Sequence, residues 1–125
     1  MKKVISTETA PAAIGPYSQA VEANGVLYCS GQIALDPATG ELNNSNITQE
    51  TEQVLKNLGA VLKAAGYTYE NVVKTTVFLA NMDDYATVNE IYGQYFNESK
   101  PARAAVAVRT LPKHVRVEID CIAVK

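Results

Sequence analysis

The sequence predicts an α+β fold in the order strands, helix, strand, helix, strands, and three observations carry that prediction. Runs with strand-like alternation or β-branched content lie near both termini and once between two other segments. Those two segments repeat their apolar residues at three- and four-residue intervals, the spacing of an amphipathic helix. Gly, Pro, Asn and Asp clusters separate the runs. With 125 residues, 47% apolar and 19% charged, the chain fits one domain over residues 1–125 that can bury a real core.

A short first strand is expected over Val4 to Ser6. Two further strands, Tyr17 to Ala23 and Val26 to Ser30, flank Asn24 and Gly25, a pair that readily takes the positive φ values of a type I′ hairpin turn. Asp36, Pro37, Ala38, Thr39 and Gly40 form a turn. A helix should begin near Thr48, with Glu50 and Glu52 at the positive end of its dipole. Val54, Leu55, Leu58, Val61, Leu62 and Ala65 draw its apolar stripe, and Gly66 ends it. Val72 to Leu79 alternates with some apolar character on both faces. The second helix runs from Asp83, as N-cap, to Phe96, with Tyr85, Val88, Tyr92 and Tyr95 on one stripe and read as packing. The last strands are Ala104 to Arg109 and Val115 to Val124, joined by Leu111, Pro112, Lys113 and His114.

Charge and composition remove several classes of function. A formal net charge of -2 with scattered Lys and Arg gives no basic stripe for nucleic acid. Lys2 and Lys3 are followed too soon by Ser6, Thr7 and Glu8 for a signal peptide, and no segment reaches membrane-spanning length. Cys29 and Cys121 sit in apolar strand contexts and read as buried free thiols, which points to a cytoplasmic protein. His114 is the single histidine, so neither a metal cluster nor a Cys-His or Ser-His pair is expected.

Two helices can cover only one face of such a sheet. Phe78, Ile122 and Val124 would fall on the face opposite Val77, Ile119 and Cys121. An apolar sheet face is rarely left in water, and a second copy of the chain is the natural cover, so a homo-oligomer with sites at its seams is expected.

Arg103 stands alone in the run Pro101, Ala102, Arg103, Ala104, Ala105, Val106, where a guanidinium beside small side chains is open to a ligand. Glu118 is the middle acid of the final strand. An Arg at a strand start is ordinarily a surface or inter-subunit salt-bridge partner, and Glu118, beside Arg116 and Asp120, could be a solvated sheet face. The pair also suits a small pocket for a carboxylate, which Arg grips with two parallel charge-assisted hydrogen bonds.

Five motifs in order then carry a resemblance: Gly15-Pro16-Tyr17-Ser18-Gln19; Ser30-Gly31-Gln32; Asn89 within Val88-Asn89-Glu90-Ile91; Pro101-Ala102-Arg103; and Val117-Glu118-Ile119. Together they resemble the Rid family, also called the YjgF family, nearest to its reactive intermediate deaminases. The resemblance implies a chorismate-mutase-like fold, a six-stranded, mostly antiparallel sheet with two helices on one face, and a homotrimer whose sheets form a barrel with sites between subunits. It implies hydrolysis of 2-iminopropanoate and 2-iminobutanoate to 2-oxo acids and ammonia, with no metal or organic cofactor. Carried over residue by residue, Arg103 would orient the substrate carboxylate and Glu118 would position or deprotonate the water. Tyr17 and Asn89 would line the cleft, Ser30 would add a hydroxyl, and the Gly31 backbone would approach the ligand. Many relatives have Cys where this chain has Ala105. The resemblance implies that the contact there uses the backbone, so hydrolysis should survive while thiol-based regulation would not. Two other readings stand beside the deaminase: a non-catalytic regulatory trimer that binds 2-oxo acids, and an endoribonuclease, which the acidic balance and solitary His disfavour.

Overall fold

A computed structural model describes residues 1–125. Six strands form one sheet: β1 (Lys3–Ile5), β2 (Ala20–Ala23), β3 (Val26–Gln32), β4 (Val72–Leu79), β5 (Ala102–Ala107) and β6 (Val117–Val124), in the spatial order β1-β2-β3-β6-β4-β5. All neighbours are antiparallel except β4 and β5. That parallel pair needs a crossover, and α2 (Tyr85–Phe96) supplies it, as α1 (Ile47–Ala64) connects β3 to β4.

The hairpin between β2 and β3 turns on Asn24 (φ 53°) and Gly25 (φ 77°), the geometry that pair favours. Asn46 caps α1, its side chain accepting from the Gln49 amide at 2.8 Å, so the helix starts at Ile47. Its stripe of Val54, Leu55, Leu58, Val61 and Leu62 is wholly buried. These residues meet Leu27, Val77, Leu79, Val117, Ile119 and Ala123 from the sheet, so both helices serve one face.

Several boundaries differ from the sequence-based expectation. Tyr17 lies outside any strand, because Gly15 (φ 126°) turns the chain and β2 pairs only from Ala20. Asp83 does not cap α2; Asn81 caps a single 3₁₀ turn, Met82–Asp84, that runs into the helix at Tyr85. β5 starts two residues early, which puts Arg103 inside the strand, opposite Thr75. Glu50 sits in the first turn of α1 as expected, and it is also fully buried and ion-paired to Arg116, Nε to Oε1 at 2.7 Å, while Oε2 accepts from the Arg116 amide at 2.7 Å.

The other sheet face is open. Tyr28 is 50% exposed, Val106 43% and Val124 38%, and Phe78 and Ile122 beside them are half-buried. No helix is long and apolar enough to cross a membrane.

Candidate active site

Strand register sorts the candidate residues into two groups on opposite faces of the sheet. Arg103 is in register with Thr75, Thr75 with Cys121, and Cys121 with Cys29, a row that faces the helices. Glu118 is in register with Phe78, and Phe78 with Val106, a row on the open face. Within one chain, therefore, the guanidinium and the carboxylate do not meet.

Arg103 lies beneath α2. Its Nη1 donates to Asn89 Oδ1 at 2.7 Å and its Nη2 to Tyr85 Oη at 2.6 Å. The guanidinium carbon sits 4.8 Å from the Tyr92 ring centre, a cation–π distance. The Tyr92 hydroxyl is bonded to Thr75 Oγ1 at 2.7 Å, and burial pushes its pKa up, so the ring stays neutral and fixed. The one salt bridge in the chain is Arg116–Glu50, which leaves Arg103 without a carboxylate partner. An ion pair within the chain, one ordinary reading of a strand Arg, is thereby removed. A recess of ≈ 400 Å³ opens beside it, lined by Asn89, Tyr92, Lys100, Pro101 and Arg103. Ala105 faces the helix side, in register with Val77. β5 is an edge strand, so one row of its backbone groups is unpaired within the chain.

Glu118 lies in a second cavity of ≈ 610 Å³, whose walls include Ile14, Tyr17, Ser30, Gly31, Leu35 and Lys113. Burial, with a smaller contribution from Asp120, raises its pKa above the usual carboxylate range. A carboxylate so placed binds a proton more readily than an exposed one. Gly31 has a specific reason to be glycine: a Cβ there would lie 2.9 Å from the Glu118 carboxyl carbon and closer still to one oxygen. The backbone of β3 is bulged between Cys29 and Gln32, and the Glu118 carboxylate occupies the space beside it.

The Ser30 hydroxyl is already engaged, donating to the Ser18 carbonyl at 2.6 Å, so what it has left for a ligand is its acceptor lone pairs. Tyr17 is 55% exposed at the cavity rim. Its loop is held by Gln19, a buried amide that donates to the carbonyls of Thr7 at 3.0 Å, Ala10 at 3.3 Å and Pro11 at 2.7 Å, and accepts from the Thr7 amide at 2.7 Å. Nowhere do three His, Cys, Asp or Glu side chains converge as metal ligands would.

The sequence reading missed Tyr85 and Tyr92 as neighbours of Arg103 and Lys113 as a wall of the Glu118 cavity. Tyr85, Asn89 and Tyr92 are spaced i, i+4, i+7, so one helical face was legible. That this face covers Arg103 depends on the crossover, which spacing does not reveal.

The family model for endoribonuclease L-PSP matches residues 7–125. The chain belongs to this family, the Rid (YjgF) family. The Rid chain is 58% identical over 125 residues to the mouse protein named 2-iminobutanoate/2-iminopropanoate deaminase, covering 100% of itself and 93% of that relative. Among solved structures, it superposes on the Rid-family protein YyfA of Yersinia pestis with a TM-score of 0.97, at 51% identity and 100% coverage of both chains. It superposes on Escherichia coli TdcF with bound serine with a TM-score of 0.93, at 41% identity and 98% coverage of each.

Proposed function

We propose that this Rid protein hydrolyses 2-iminobutanoate and 2-iminopropanoate, and that it does so as a homotrimer whose sites form where the Arg103 half of one subunit meets the Glu118 half of the next. The observation that carries the proposal is the division of the site. A cation without an ion-pair partner and a carboxylate of raised pKa lie on opposite faces of one sheet, each beside its own recess. The apolar open face offers the surface on which subunits would associate. Its deaminase relatives and the serine held by TdcF, itself a small 2-amino acid, support a substrate of that size carrying one carboxylate. Two buried, reduced cysteines suit a cytosolic setting.

The chemistry asked of these residues is modest. Arg103 takes the substrate carboxylate by its free N–H groups and orients the imine carbon. Asn89 lines the same recess, and the unpaired backbone at Ala105 is a further donor or acceptor. Glu118, deprotonated, accepts a proton from water as the oxygen attacks the C=N carbon; the C=N π pair passes to nitrogen, giving a carbinolamine. The imine enters protonated, so Glu118 returns that proton to an NH2 nitrogen, the C–N bond breaks and ammonia leaves as the hydroxyl oxygen forms C=O, its proton passing to the Glu118 carboxylate and on to solvent. The net change is imino acid plus water to 2-oxo acid plus ammonia. General acid–base help of this kind is worth about 10²- to 10⁴-fold. Gly31 leaves room for the Glu118 carboxylate, and Tyr17 and Ser30 wall the water side of the cleft.

A threonine dehydratase coupled to this protein, with semicarbazide trapping the imine, tests the proposal. The wild type should shorten the life of the trapped signal, and Arg103→Ala should not. Equal decay in both overturns the mechanism. Tight 2-oxobutanoate binding without faster decay would identify a regulatory trimer instead, and cleavage of RNA by protein free of contaminating nuclease would identify the endoribonuclease.

A further inference from the structure

The Arg103 guanidinium is held entirely by uncharged groups. Tyr85 Oη accepts from Nη2 at 2.6 Å and Asn89 Oδ1 from Nη1 at 2.7 Å. The Tyr92 ring lies beneath at 4.8 Å, and its hydroxyl is tied to Thr75, the residue in register with Arg103 on β4. Tyr85, Asn89 and Tyr92 share one face of α2 at helical spacing, so a single rigid element fixes both ends and one face of the planar group.

A guanidinium can be held equally well by carboxylates, and elsewhere in this chain it is: Arg116 is clamped by the buried Glu50. A carboxylate partner would fix geometry but also cancel most of the charge that an incoming anion needs. Neutral acceptors orient the group and leave its charge unspent. We infer that Tyr85 is a positioning residue for Arg103, and that the neutrality of the Tyr85–Asn89 cradle sets the selectivity of this recess for a carboxylate-bearing ligand. The inference rests on the proposed function for the identity of that carboxylate, though not for the positioning of Arg103.

Two substitutions, read by kinetics, ligand binding, melting temperature and side-chain rotation, test it. Tyr85→Phe keeps the ring and removes the acceptor. It should raise KM about tenfold and weaken 2-oxobutanoate binding, measured by calorimetry, by the same factor, the scale of one hydrogen bond to a charged group. The value of kcat should stay within about twofold, as expected when the lost interaction is the same in ground and transition states. Asn89→Asp is nearly isosteric and adds the missing charge. It should weaken 2-oxobutanoate binding by more than Tyr85→Phe does, while the melting temperature holds or rises because the new carboxylate pairs with Arg103. A merely structural cradle predicts the reverse, with Asn89→Asp binding as the wild type. Without any ligand, ¹⁵N spectra of the Arg103 side chain should show slow rotation about the Nε–Cζ bond in the wild type and faster rotation in Tyr85→Phe. Equal rotation rates, or unchanged KM in Tyr85→Phe, overturn the positioning role. A wild type that neither binds 2-oxobutanoate nor hydrolyses imines sinks the proposed function and the carboxylate selectivity with it, and the rotation rates then still decide whether Tyr85 positions Arg103.

Discussion

At the scale of single residues, the base role proposed for Glu118 draws on what surrounds it. Desolvation is the larger cause of its raised pKa and the neighbouring Asp120 the smaller. Asp120 is itself raised by burial, and is restrained by hydrogen bonds from Thr76 and by the charge of Lys74. The acidic limb of the kcat/KM profile, which reports the free enzyme's base, should therefore lie above the ordinary Glu value of about 4.3. Asp120→Asn removes the repulsion and leaves the desolvation, so the limb should move to lower pH without reaching that ordinary value. The same shift has a stability sign. A carboxyl with a folded-state pKa above its unfolded one favours the folded state fully at pH below about 4 and loses that contribution as pH rises through the folded pKa. Glu118→Gln stays neutral throughout. It should melt higher than the wild type at neutral pH and equally near pH 3, while losing hydrolysis; a variant less stable at neutral pH would contradict the desolvation argument.

At the scale of elements, what could be read locally was read well. The Asn24–Gly25 turn and the α1 stripe need only the residues within them. The start of β2 lies later than expected because Tyr17 and Ser18 have strand propensity, while Gly15 and the four hydrogen bonds of Gln19 hold that stretch as a loop. Glu50 does sit in the first turn of α1, where an acid meets the dipole, but nothing local reveals its partner Arg116, 66 residues away in the bend just before β6. Arg103 and its cradle were half legible, the residues from their motif and the helical face from its spacing, but not their meeting. The Glu50–Arg116 clamp, between α1 and the bend before β6, makes a prediction of its own. Arg116→Leu leaves a fully buried carboxylate with only the residue-116 amide as partner, and removes the bond from Nη2 to the Asn44 carbonyl at 2.7 Å. Leaving a buried charge unpaired is strongly destabilising, here about 3 kcal/mol. Urea denaturation should show the midpoint falling with little change in slope. A loss under about 0.5 kcal/mol, the range of ordinary surface substitutions, would mean that the amide alone satisfies Glu50.

At the scale of the whole molecule, the proposed trimer would answer both the separation of Arg103 from Glu118 and the bare sheet face. Arg103 cannot swing to Glu118 in its own chain, because the sheet lies between them and the Tyr85–Asn89–Tyr92 face holds it under α2. A site using both groups must take them from two chains, and the apolar patch around Tyr28, Val106 and Val124 is where a second chain would be driven to pack. This arrangement has a consequence that a self-contained site lacks. Arg103→Ala and Glu118→Gln should each be inactive alone, since every seam then lacks one group. Unfolded together in equal amounts and refolded, the two variants should regain about one quarter of wild-type activity, because a cyclic assembly formed at random draws each half of a seam independently from an intact or a damaged chain. Two of the four pairings leave one lesion, one leaves both, and one restores a complete site. Mixing without refolding should regain that activity only as fast as subunits exchange, which sedimentation of differently labelled chains can follow. Activity that stays at the level of the separate variants, with exchange demonstrated, would place the whole reaction within one chain and remove the reason for the bare face to matter.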